Sequence, residues 1–260
     1  MLKDWIRIAK EKNASDLHLE AGTPMVLRIR GELVFLGEPI PAEVILREAQ
    51  EALGQVRWED FVSRRSADLS KTIQGVRCRL NVFQTLRGVG LAVRLLSSFQ
   101  NNLRDCNLHP DFRKFIEYKT GLLVISGPTG SGKSTTLAAL IEEINTSQRK
   151  HVLTIESPVE YFFSNRQSII RQREVPSHTP SFEQAIVDSM RENPDVLAVG
   201  EMRTPDVMRL VLNAAETGHL VLTTMHSSTC AEALSRICMS FPPEIQASVR
   251  AQLADCLVGV

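Results

Sequence analysis

The chain has 260 residues, 43% of them hydrophobic and 23% charged, enough for one large globular domain or two of ordinary size. Thirty basic residues balance thirty acidic ones, which leaves no global field to draw the protein onto nucleic acid or an anionic membrane. No apolar run approaches the roughly 20 residues that a bilayer span needs, and the N-terminus "MLKDWIRIAKEKNASD" carries charge throughout, unlike a signal peptide, so a cytoplasmic location is expected. The five cysteines contain no C-x-x-C pair, which argues against a zinc site or disulfide framework and for small buried apolar roles.

Leu2, Trp5, Ile6 and Ala9 share one helical face, so the chain is predicted to open on an amphipathic helix ending near Asn13. "DLHLEAG" and "MVLRIRGELVFLG" then alternate apolar and polar residues and predict strands. A helix is expected around "PAEVILREAQEAL", after which "ADLSKTIQGVRCRLNVFQTLRGVGLAVRLL" returns to alternation with turns at Gly75 and Gly88. Residues 1–98 are therefore expected to form a smaller α+β domain on an antiparallel sheet. The polar, aperiodic stretch "SSFQNNLRDCNLHPD" marks the boundary, with 99–111 as a linker.

Over residues 112–260 the pattern changes. The apolar runs "LLVIS", "HVLTIE", "DVLAVGE" and "HLVLTTMH" alternate with helical segments, which predicts an α/β domain whose parallel sheet is covered on both faces. Thr204 as N-cap, Pro205 as first helical residue and Gly218 as stop delimit one helix. Another is expected to open in the same way from Thr179 and Pro180, and Thr229-x-x-Glu232 has the form of a capping box.

One segment carries specific chemistry. In "ISGPTGSGKSTTLAAL" a short apolar strand runs into a Gly-rich loop and then a helix, and Gly127, Gly132, Lys133 and Ser134 satisfy the pattern G-x-x-x-x-G-K-[ST]. Successive backbone N–H groups in such a loop form an anion cradle at a helix N-terminus, with Lys133 as mobile cation and the Ser134 hydroxyl as a Mg²⁺ ligand. The nucleotide-binding set is Gly127, Pro128, Thr129, Gly130, Ser131, Gly132, Lys133, Ser134 and Thr135. Glu201, at the carboxyl end of "DVLAVGE", is placed to be a Walker B-type acid in the metal shell, because ligands of open α/β sheets sit beyond the carboxyl ends of strands. Glu156 and Glu160 of "TIESPVE" both stand at another strand end, and spacing does not choose between them as the group that polarises water. His219 and His226 bracket "LVLTTM" at an odd separation that directs them to opposite faces, which favours His226, at the carboxyl end, as the site residue.

These segments together carry a resemblance. "GPTGSGKSTTLAALIEEIN", "HVLTIESPVEYFF", "QREVPSHTPSFEQAIVDSMRENPDVLAVGEMR" and "AAETGHLVLTTMHSSTCAEALSRI" are similar to the Walker A, Asp-box, Walker B and His-box segments of the type II/type IV secretion ATPases, in the branch of PilT-like pilus retraction ATPases. "ASDLHLEAGTPMVLRIRGEL" resembles the start of that branch's PAS-like N-terminal domain. The resemblance implies a RecA-like P-loop NTPase core that hydrolyses ATP with Mg²⁺ in a cytoplasmic homo-hexamer. Its site lies beneath an inner-membrane platform protein, where hydrolysis removes pilin subunits from a fibre; no nucleic acid is implied. It makes Glu160 the catalytic glutamate and Glu201 the Walker B acid, and it puts His219 at the nucleotide and His226 among the catalytic groups.

Retraction rather than extension is favoured because extension-type relatives resemble a longer chain with a four-cysteine zinc insertion. The strands "GVRCRLNVF" and "GLAVRLL" look like the family's arginine-bearing strands, which makes Arg77, Arg79 and Arg94 candidates, with Arg79 and Arg94 assigned to catalysis in a neighbouring subunit. Two departures stand out. The family's E-D-P is here Glu156-Ser157-Pro158, and the chain stops at "LADCLVGV" where relatives continue into C-terminal helices. Both keep open the alternative of a non-catalytic or weakly catalytic nucleotide-dependent assembly factor of the same machinery.

Overall fold

The computed structural model describes residues 1–96 and 101–260. Residues 97–100, which hold the expected domain end and the start of the expected linker, lie outside the described residues. The chain divides into two compact units, Met1–Ser97 and Ser98–Val260.

In the first unit, helix α1 (Leu2–Glu11) and helix α2 (Ala42–Arg64) pack on one face of an antiparallel sheet. Its strands are β1 (Asp16–Glu20), β2 (Met25–Ile29), β3 (Glu32–Leu36), β4 (Ser66–Ile73), β5 (Val76–Thr85) and β6 (Gly88–Leu96), in the order β3-β2-β1-β6-β5-β4. Period-two alternation turns Leu17, Leu19, Cys78, Leu80, Val82, Leu91 and Val93 inward against Ile6, Ile45, Ala49 and Phe61. The helix expected to end near residue 53 continues to Arg64, bent where Gly54 takes φ 70° and ψ 172°. Only a residue without Cβ holds that conformation cheaply, so the bend sits at the glycine.

In the second unit, short helix α3 (Phe112–Phe115) precedes strand β7 (Gly121–Ser126) and helix α4 (Lys133–Ser147). There follow β8 (His151–Glu156), β9 (Ile169–Glu174), α5 (Phe182–Ser189), β10 (Val196–Val199), α6 (Pro205–Glu216), β11 (Leu220–Met225), α7 (Cys230–Met239), α8 (Gln246–Cys256) and β12 (Leu257–Gly259). All pairings are parallel, in the order β12-β7-β11-β10-β8-β9. One face carries Leu122, Leu153, Leu197 and Val221 against α5, α6, α7 and α8. The other carries Leu123, Val152, Ala198 and Leu222 against α4. Burial on both faces is why these strands read as unbroken apolar runs rather than alternating ones.

Three local readings are revised. Leu103, inside the stretch expected as linker, is buried in the α4-side core with Cys106 and Leu108 packed alongside. The cap of α5 is Ser181, whose Oγ accepts the Gln184 N–H at 3.2 Å, rather than Thr179, which is buried and sends its hydroxyl to the Ser181 carbonyl. Edge strands β9 and β12 were not expected, because an edge strand need not be apolar on both faces and "IIRQRE" carries too little alternation to show itself. Thr204 and Thr229 do cap α6 and α7, accepting from Val207 and Glu232 N–H respectively. Glu232 reaches back one residue further than a capping box requires, to the Ser228 N–H at 2.7 Å.

The long connection from β8 to β9 is tied to the far end of α4 by one fully buried residue. Asn145 donates to the Ser164 carbonyl at 2.9 Å and to Glu142 Oε2 at 2.8 Å, and accepts the Arg166 N–H at 3.0 Å. Asn145→Ala is expected to lower the unfolding free energy by about 2–3 kcal/mol, since it strands buried polar partners. Urea denaturation checks this, and an unchanged midpoint would refute the assignment.

Candidate functional site

The phosphate-binding loop runs from the carboxyl end of β7 to the amino end of α4. Gly127 opens it with its N–H on the Met225 carbonyl at 3.2 Å. A Cβ at Gly127 would stand 2.5 Å from Ser131 Oγ, so a larger residue here would displace that hydroxyl. Gly130 and Gly132 have φ of 79° and 91°, the left-handed region that turns successive N–H groups inward. Among the described residues no side chain caps the amino end of α4, and its first turn holds no acidic residue. The end of the helix dipole is left for an anion. Lys133 Nζ donates to the Pro128 carbonyl at 2.8 Å.

The loop opens into a cavity of about 270 Å³ lined by Thr129, Gly130, Lys133 and Ser134 on one side and by Glu156, Ser157, Glu160, Glu201, Arg203 and His226 on the other. Glu201 lies two residues beyond the end of β10, after Gly200. Gly200 N–H continues the ladder to the Ile155 carbonyl at 2.8 Å, Thr224 Oγ1 donates to the Gly200 carbonyl at 2.6 Å, and Met202 N–H donates to the Thr224 carbonyl at 3.1 Å. A Cβ at Gly200 would come within 3.2 Å of the Ile155 carbonyl, which explains the small residue before the acid. The Glu201 carboxylate lies 2.7 Å from Arg203 Nε and 3.9 Å from His226 Nε2. Arg236 holds the other side of His226 by donating to its carbonyl at 2.7 Å. A serine hydroxyl and a carboxylate facing one cavity beneath an anion cradle are a donor set of the hard-oxygen kind that Mg²⁺ takes.

The two glutamates that spacing left unresolved are separated by their surroundings. Glu160 is exposed at the cavity wall. Glu156 is turned inward, where its Oε1 accepts from Thr154 Oγ1 at 2.5 Å and from Gln172 Nε2 at 3.2 Å. Ser157 is anchored by donating its hydroxyl to the Val175 carbonyl at 3.0 Å, and so ties the turn after β8 to the end of β9.

His219 is not brought to this cavity in its own chain. It precedes β11, whose first residue Leu220 pairs with Gly121 at the start of β7, so it stands at the amino edge of the sheet. At roughly 3.3 Å per strand residue it lies about 20 Å from the loop at the other edge. Its Nδ1 is 3.2 Å from the Ala214 carbonyl, a contact with the end of α6. His219 is therefore not among the residues that line the chain's own cavity. Arg79 and Arg94 lie in the first unit, directly paired across β5 and β6 on the sheet face away from its core, as does Arg77. Arg94 Nε is 2.9 Å from Asp16 Oδ1, and Arg79 Nε is 3.9 Å from Asp68 Oδ1. Sequence reasoning passed over Thr154, Tyr161, Gln172 and Arg203. The "EYFF" and "GEMR" stretches contain two of them, but nothing in the local pattern says that Tyr161 or Arg203 faces the phosphate loop.

Burial raises the pKa of Glu156 above the ordinary 4.5, opposed by hydrogen bonds from Thr154, Gln172 and the Glu160 backbone and reinforced by the nearby Glu160 charge. A carboxyl whose folded pKa is raised stabilises the fold below its unfolded value and loses that contribution as pH rises through the folded one. The urea midpoint of the protein is therefore expected to fall, relative to that of Glu156→Gln, as pH rises from 4.5 to neutrality. A difference between the two that does not change with pH would contradict this.

Comparison with known proteins converges on one family. The chain matches the type II/IV secretion system protein family over residues 1–259. It is 35% identical over 261 residues to the type IV pilus retraction ATPase PilT of Pseudomonas aeruginosa, covering 100% of this chain and 76% of that protein. To a twitching motility protein of Neisseria gonorrhoeae it is 38% identical over 240 residues, 92% of this chain and 64% of that one. Among solved structures, the pilus retraction motor PilT with bound ADP superimposes at a TM-score of 0.89 and 37% identity, over 98% of this chain and 75% of that chain. The ATPase DotB of Legionella pneumophila does so at 0.83 and 27% identity, over 98% and 73%. With its phosphate loop, the acid after β10 and an antiparallel domain ahead of them, the chain belongs to the type II/IV secretion system protein family, and within it is PilT-like.

Proposed function

We propose that this PilT-like ATPase is the motor subunit of a homo-hexameric ring that couples Mg²⁺-dependent ATP hydrolysis to retraction of a type IV pilus. It would work in the cytoplasm at the inner-membrane face, against a platform protein and through it on the pilin fibre. The observation that carries the reading is the convergence of Lys133, Ser134, Glu160 and Glu201 on one cavity at an uncapped helix N-terminus. Similarity to an ADP-bound retraction motor along nearly the whole chain supports it.

In this reading the loop N–H groups and Lys133 hold the β- and γ-phosphates. The Ser134 hydroxyl and the Glu201 carboxylate hold the Mg²⁺ shell, and bound Mg²⁺ offsets charge that builds on the phosphates. Glu160, exposed at the wall, orients and deprotonates the attacking water, while the half-buried Glu156 supports the turn that carries it. His226 stands beside Glu201 and lines the same cavity. Arg79 and Arg94 supply positive charge to a neighbour's site, the part of the transition state that Lys133 leaves uncovered. Ser157 serves the turn through Val175 rather than the metal.

Lys133→Ala is expected to abolish phosphate release from ATP. Glu160→Gln should keep ADP binding while slowing release by roughly 10²-fold, the scale for losing a positioned base. Wild-type turnover in either variant, measured by phosphate release, sinks the reading. Mixing Lys133→Ala protein with Arg94→Ala protein should recover part of the lost activity, and no recovery in rings shown by mass to be mixed would count against an arginine acting in trans.

A further inference from the structure

Glu160 sits on a connection that has left the sheet, yet its backbone is not loose. Side chains of β9 take over where the ladder stops. Gln172 Nε2 donates to the Tyr161 carbonyl at 2.8 Å, and Gln172 Oε1 accepts the Phe163 N–H at 3.1 Å. Two residues along the strand, Glu174 Oε2 accepts the Val159 N–H at 3.1 Å. Residues 159, 161 and 163 are thus tethered in alternation, as a further strand would be, and Glu160 is flanked on both sides by tethered neighbours. The same Gln172 amide also donates to Glu156 Oε1 at 3.2 Å, so one side chain serves both glutamates.

The clamp does not end at β9. The Tyr161 hydroxyl shares a hydrogen bond of 3.0 Å with Thr135 Oγ1, in the first turn of α4 and next to Ser134. Satisfying buried polar atoms accounts for Gln172 alone. It does not account for a phenol that spans from the carrier of Glu160 to the helix whose amino end forms the anion cradle.

From this we infer that Tyr161 and Gln172 are positioning residues for Glu160, and that the Tyr161–Thr135 hydrogen bond makes the placement of Glu160 depend on the phosphate-loop helix. The inference rests on the reading of Glu160 as the water-orienting group. Positioning of this kind governs the rate and leaves nucleotide affinity alone, because neither side chain needs to touch the phosphates.

The test is a double-mutant cycle in the 260-residue chain, read by phosphate release and by titration of a fluorescent ADP analogue. Tyr161→Phe removes one oxygen and keeps the ring, and is expected to lower kcat by about tenfold, within the range that small misplacements cost, with ADP affinity and KM unchanged. In the Glu160→Gln background the same change should have no further effect, since there is no carboxylate left to place. Gln172→Met is expected to behave alike. If Tyr161→Phe slows both backgrounds by the same factor, its role is general support and the inference fails. If Glu160→Gln is slow but Tyr161→Phe turns over at the wild-type rate, the inference fails while the functional reading stands. If Glu160→Gln itself turns over normally, both fall together.

Discussion

The in-register parallel pairing of β8, β10, β11 and β7 is the constraint on which the rest of the second unit depends. Val196 pairs with both Val152 and Leu220, Leu197 with Leu153 and Val221, and Val199 with Ile155 and Thr223. Because the strands run in one direction and in step, every connection that leaves them at the carboxyl edge leaves at the same level. The phosphate loop, Glu156, Glu201 and His226 are all residues at or just beyond that edge. The site is assembled by the ladder, and the ladder is held by apolar burial on both faces. Leu153, Ile155, Leu197 and Leu222 are fully buried, and each contributes about 1.5–3 kcal/mol relative to an exposed side chain.

Charges at this edge are arranged on two sides of the cavity. The positive end of α4 lacks a carboxylate in its first turn, and Lys133 rests on a neutral carbonyl. The acids stand across the cavity, where Glu201 is paired with Arg203 and Glu156 is shielded by hydrogen bonds. The amino end of α4 and these acids therefore face one cavity from opposite sides. This is an arrangement that a multivalent anion with its cation can complete from both sides.

Polar side chains do elsewhere what backbone does in the strands. Asn145 on α4, and Gln172 and Glu174 on β9, capture backbone groups of the β8–β9 connection. A long connection around an active centre would otherwise leave its N–H and carbonyl groups unpaired or wet. Here the cost is met by residues that look unremarkable along the chain.

That difference marks what could be read from the sequence alone. The strand-loop-helix at Gly127–Ser134, the apolar runs that became the central strands, the caps at Thr204 and Thr229 and the antiparallel alternation of the first unit are local patterns. Their meaning depends on periods of two or 3.6 residues and on the stereochemistry of glycine, both written into neighbouring residues. Edge strand β9 escaped because an edge strand is not required to be apolar, β12 because three residues show no period, and Leu103 because a single buried leucine has none either. The choice between Glu156 and Glu160 as exposed carboxylate, the pairing of Glu201 with Arg203, and the distance of His219 from the cavity were decided only by tertiary structure. Each turns on which residue of a remote element arrives beside another. Burial and hydrogen bonding act through space, so residues such as Thr154, Gln172 and Glu156 acquire their chemistry only once the strands that bear them lie side by side.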